Sequence, residues 1–183
     1  MNELEIIRTQ LALERAHASA VASACAKALA RENKAALTGF REACADYLAC
    51  VLGWFEARDR RFADLGRAKF ADADPARRAI DAALARHGRS REVLEKLLAA
   101  LAPAPGKVTR TAGDAMADFA TFFNEWRTRR DAIEALLATN SRTADWRAIG
   151  GIDADSILEE RARYARVRAA LPEGVELDSP SGS

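Results

Sequence analysis

Apolar residues recur along this chain at steps of three and four, in long runs separated by short polar segments. The clearest run lies between Ala35 and Phe70. There Leu37, Phe40, Cys44, Tyr47/Leu48, Val51, Phe55, Phe62 and Leu65 fall on one face of a long helix. Arg58 and Asp59 interrupt that face in its second half. A helix with charge set into its buried stripe needs partner helices to cover it and groups to satisfy the charge.

The flanking sequence predicts those partners. A first helix is expected from about Asn2 to about Arg31, with Leu4, Ile7, Leu11, Ala18, Val21, Cys25 and Ala28 on its stripe and His17 at the stripe's edge. Asn2 is a suitable N-cap, and Glu3 and Glu5 suit the first turn. The small residues of its second half let another helix approach closely. Asn33 marks the turn into the central helix. After Gly66, Asp74 as N-cap and Pro75 at the first helical position start a third helix. Ile80, Leu84, His87, Arg91, Leu94, Leu98 and Leu101 keep a 4-3-4-3 spacing through Gly88. One helix to about Leu101 is therefore expected, with His87 and Arg91 on its core-facing stripe.

Pro103 to Arg110 reads as a loop. A fourth helix is expected from Thr111 to Thr139, carrying Met116, Phe119, Phe123, Trp126, Ile133 and Leu137, with Arg130 on the same face. A turn around Asp145 and Trp146 follows, with Trp146 as an anchor. Asp153 then caps a fifth helix, Ala154 to Leu171, which uses Ile157, Leu158, Tyr164 and Val167. Pro172 stops it. The pattern predicts an all-α protein, an up-down-up-down four-helix bundle with an additional C-terminal helix over residues 1–171, and a mobile tail over 172–183.

Composition agrees with helices. Alanine and arginine dominate the 183 residues, against 10 glycines and 5 prolines. The formal net charge of +1 supplies no field for nucleic acid or an anionic membrane, and neither partner is expected. Arginines interleaved with acids read as solvated helix faces. Three cysteines make an odd count, and Cys44 and Cys50, six apart on one helix, cannot reach each other. They read as small buried hydrophobes of a reducing compartment. The first residues lack a basic segment followed by an apolar one, and no stretch approaches a membrane span. A soluble cytoplasmic protein is expected.

The sequence carries no Gly-rich phosphate loop, no Cys-x-x-Cys pair and no nucleophile flanked by glycines. Its scarcest polar groups are His17 and His87. Glu56 or Asp59 on the second helix and Glu134 on the fourth are placed, like the two histidines, to approach the bundle interior. In helix order, and in the segments from Trp54-Phe55-Glu56 to Phe62-Ala63-Asp64-Leu65 and from Arg130 through Glu134 to Leu136-Leu137, the chain resembles the hemerythrin-like, HHE cation-binding family over roughly Leu4 to Leu137. The resemblance implies a bundle with one or two metal ligands per helix, including His-x-x-x-Glu motifs on the second and fourth. His17 and His87 match the first- and third-helix positions. Leu52 and Arg130 stand four residues before Glu56 and Glu134, where that family has histidines.

Arg130 changes the expectation. A guanidinium stays charged at any working pH and repels a cation from the place it occupies. One reading is a non-catalytic bundle of hemerythrin-like type without a cofactor. Its metal site is replaced by an internal charge network of Asp59, Arg91 and Arg130, and it serves as an interaction or regulatory module toward a protein partner or a second copy. The alternative is a single iron, zinc or manganese ion held by His17, Glu56, His87 and Glu134, with a sensing or redox role.

Overall fold

The computed structural model describes residues 2–30, 37–72, 74–84, 87–101, 110–138 and 141–177, and only the backbone at 83–84, 87–90, 110–112, 129, 132 and 136. Every regular element among them is a helix: α1 (Glu3–Leu29), α2 (Thr38–Lys69), α3 (Pro75–Leu84), α4 (His87–Leu101), α5 (Arg110–Ala138), α6 (Thr143–Gly150) and α7 (Ala154–Ala169). None is long and apolar enough to cross a membrane.

The starts follow local chemistry. Asn2 Oδ1 accepts from the Glu5 N–H at 2.9 Å, while Glu5 Oε2 accepts from the Asn2 N–H at 2.8 Å. This reciprocal box satisfies two donors that a helix start leaves unpaired. Asp153 and Ser156 close the same kind of box on α7. Asp74 Oδ1 accepts from the Ala76 N–H at 2.8 Å, directly ahead of Pro75.

Three expectations need correction. Residues 143–150 form a helix of eight residues rather than a turn, with Trp146 and Ile149 as its buried face. Two apolar positions are too few to set a period. The helix ends on Gly151, whose φ of 53° is a left-handed conformation that suits glycine. Secondly, the expected stripe holds unevenly along α4. Ile80 on α3 and Leu101 on α4 are buried as expected, but Leu97, which lies off the stripe, is buried too, while Leu94 and Leu98 are half-buried and Arg91 is exposed. Residues 85–86, between the two helices, lie outside the described residues, as do Asn33 and most of the expected loop at 103–110. Thirdly, residues 172–177 of the expected tail pack back on the helices, while 178–183 lie outside the described residues. The Val175 N–H donates to the Pro172 carbonyl at 3.0 Å, Gly174 takes a φ of 71°, and Val175 is buried with Leu177 packed beside it.

The core is divided in two. One block gathers Ala18 to Leu29 of α1, Phe40 to Phe55 of α2, Leu97 and Leu101 of α4, Met116 to Phe123 of α5, and Val167 of α7. The other gathers Ile7 and Leu11, Phe62 and Ala63, Ile80, Ile133 and Leu137, and Trp146 and Ile149 of α6. α1 packs on α2, α5, α6 and α7; α2 also packs on α3, α4, α6 and α7; α5 also packs on α3 and α4. At Gly66 the backbone of α2 lies against Ile80 so closely that a Cβ would overlap the isoleucine side chain.

Candidate functional site

Between the two apolar blocks lies a layer of charge. On α1 it falls between Leu11 and Ala18, on α2 between Phe55 and Phe62, and on α5 between Phe123 and Leu137, with Ile133 beside it. Arg58 and Glu14 occupy one side of it and are both buried. Arg58 Nη1 pairs with Glu14 Oε2, and its Nε donates to the Gly150 carbonyl at 2.7 Å. Gln10 Nε2 donates to Glu14 Oε1 at 3.3 Å. These bonds tie α2 to α1 and to the end of α6.

On the other side, Arg130 Nη1 pairs with Asp59 Oδ1, and Arg130 Nε reaches Glu134 Oε1 at 3.1 Å. Arg15 clamps the same Glu134 with two nitrogens, at 2.7 and 3.3 Å. Trp126 Nε1 donates to Asp59 Oδ2 at 2.8 Å. The Arg130 guanidinium also lies 3.7 Å from the centroid of the Phe62 ring, a favourable place for a desolvated cation. Burial pulls the Arg130 pKa down to about 9, and the Glu134 carboxylate opposes that fall. Three guanidiniums, Arg15, Arg58 and Arg130, thus face three carboxylates, Glu14, Asp59 and Glu134. Among the described residues these six charges balance, as burial requires.

A third group lies under α7. The fully buried Glu160 accepts from the Tyr47 hydroxyl at 2.8 Å through Oε1, and His17 Nδ1 lies 2.8 Å from the same oxygen. The His17 ring stacks on Tyr164 with centroids 3.8 Å apart. Burial, then the charge of Glu160, raises the Tyr47 pKa above its ordinary 10.

The candidate residues therefore scatter among different partners. His17 is held by Glu160, Glu56 pairs with Arg60 at 2.5 Å, and Glu134 is clamped by Arg15 and Arg130. The side chain of His87 lies outside the described residues. Arg91 lines a pocket between α2, α4 and α5 together with Glu56 and Asp59, but it is exposed there and pairs with Glu95 at 3.2 Å. Guanidiniums hold all three of the carboxylates Glu56, Asp59 and Glu134, and no group of three His, Cys, Asp or Glu among the described residues is arranged to hold a metal.

Sequence reasoning missed Glu14 and Glu160, although the signal was there. Leu11, Glu14 and Ala18 make a three-four step, as do Ile157, Glu160 and Tyr164. Each glutamate fills the gap in an apolar stripe.

Compared with known proteins, the chain matches no protein-family model, no curated protein and no solved structure.

Proposed function

We propose that this chain is an up-down-up-down four-helix bundle of hemerythrin-like type, formed by α1, α2, α3 with α4, and α5, with α7 added across α1 and α2. It is non-catalytic and acts in the cytoplasm as an interaction or regulatory module. The bundle reading draws support from the order of the two apolar blocks, which alternates from each long helix to the next. It also draws support from the neighbours, α1 with α2, α2 with α3 and α4, α4 with α5, and α5 with α1.

The observation that carries the functional reading is the pairing of Arg130 with Asp59 and Glu134. A cation entering this layer displaces a guanidinium that already neutralises the carboxylates, and leaves it buried without a counter-charge. The protein's use therefore lies on its surface. Near-neutral net charge and interleaved arginines favour a protein partner over nucleic acid.

Metal content and thermal melting test this. A ligand that binds only the folded state raises the melting temperature by mass action. Added iron, zinc or manganese is expected to leave the melting temperature unchanged. A metal-dependent rise, abolished by His17→Ala, supports the single-cation reading instead.

A further inference from the structure

α4 and α5 leave a groove on the surface away from the charge layer. Val93, Ala115 and Phe122, all half-buried, form its apolar part. Among the described residues its lining carries Glu92, Asp114, Asp118 and Glu125 and one ammonium, that of Lys96. Lys96 is itself bonded to Glu92 at 2.7 Å. The groove is acidic with a greasy floor, and its acids run along α5 from Asp114 to Glu125, about 16 Å at 1.5 Å per residue.

The outer face of α7 has the opposite character. Leu158 is 62% exposed, one of two exposed large hydrophobics among the described residues. Arg161, Ala162, Ala165 and Arg168 are exposed as well and continue its stripe at helical spacing. From Leu158 to Arg168 this stripe is about 15 Å long. Its small alanines permit close approach to another helix, and its arginines match the carboxylates of the groove in sign and reach.

We propose that a second copy of this chain docks the Leu158–Arg168 face of its α7 into the α4/α5 groove. Within one chain the two surfaces belong to different helix pairs, since α7 packs on α1 and α2. The contact is therefore heterologous, and repetition extends it into a ring or a filament rather than closing a dimer. A single helix in a groove is a small interface, so the association is weak and set by concentration. This partner rests on the interaction-module reading. The two fail separately, because a metal-dependent melting shift tests the charge layer and leaves oligomerisation unaffected.

Sedimentation of the full chain over a concentration series up to about millimolar, at low and high salt, tests the proposal. Mass is expected to rise with concentration at low salt and to fall back at high salt. Arg161→Glu with Arg168→Glu, or Asp114→Lys with Asp118→Lys, should each weaken association at least about tenfold with unchanged melting, because all four side chains are exposed. Leu158→Asp should do the same. Mixing the two charge-inverted variants should restore association, since each then offers the other a complementary surface. A chain that stays monomeric throughout, association that survives both inversions, or failure of the mixture to recover overturns the proposal.

Discussion

Asp59 on α2 and Arg130 on α5 are paired inside the protein, and each has further partners: Trp126 bonds to Asp59, and Glu134 bonds to Arg130. Removing one member of a buried pair typically costs about 3–5 kcal/mol, because the other is left charged and desolvated. Asp59→Ala and Arg130→Leu are each expected to destabilise on that scale. The double variant should recover much of the loss, because Arg15 still clamps Glu134. Urea unfolding of the four proteins measures the coupling. Additive single variants would show that the two residues do not act as a pair.

Arg58→Met is expected to cost more than Arg130→Leu. It strands Glu14, which is fully buried and among the described residues keeps only the amide of Gln10, and it also removes a donor from the Gly150 carbonyl. Adding Glu14→Gln should return part of the loss. Equal losses for Arg58→Met and Arg130→Leu would mean that the remaining partners do not set the cost.

The same substitution should have opposite signs at two places on α2. A Cβ at Gly53 meets nothing within 4 Å, so Gly53→Ala should stabilise by about 0.5–1 kcal/mol through helix propensity. At Gly66 it overlaps Ile80, and Gly66→Ala should cost about 1–3 kcal/mol from overpacking. Combining it with Ile80→Val should relieve the clash. Thermal melting of the three variants decides; a gain at Gly66 would rule out the close approach.

Alkaline pH tests the Tyr47–Glu160 contact. Burial raises the Tyr47 pKa in the folded state, so the unfolded chain loses this proton first. The contribution is fully present below about pH 10, the ordinary tyrosine value, and is lost progressively as pH rises toward the folded pKa. The slope from this one group is about 1.4 kcal/mol per pH unit. Stability measured from pH 9 to pH 11 should fall less steeply in Tyr47→Phe. An unchanged slope would mean that Tyr47 is not held neutral.

The helices and the apolar stripes of α1, α2 and α5 were legible in the sequence because each spans many periods. Phe40, Val51 and Phe123 are buried where the spacing put them. Charge was legible only where it interrupted a named stripe, as at Asp59 and Arg130. Glu14 and Glu160 went unread because glutamates on a helix are ordinarily solvated, and only the packing of α2 and α7 takes these two out of water. Arg91 lines a pocket with Glu56 and Asp59, as its stripe position implies, but the spacing does not show that it is solvated and paired with Glu95 on its own helix.

The charged layer also limits how the helices can slide. A shift of α2 or α5 by one turn, about 5.4 Å, would carry Arg58 or Arg130 among residues such as Phe55, Phe62 or Phe123 and bring apolar side chains against Glu14 and Asp59. Greasy contacts alone tolerate slippage, because one leucine or phenylalanine replaces another. Ion pairs at mid-length do not, so the layer works as a stop that leaves the long helices one alignment.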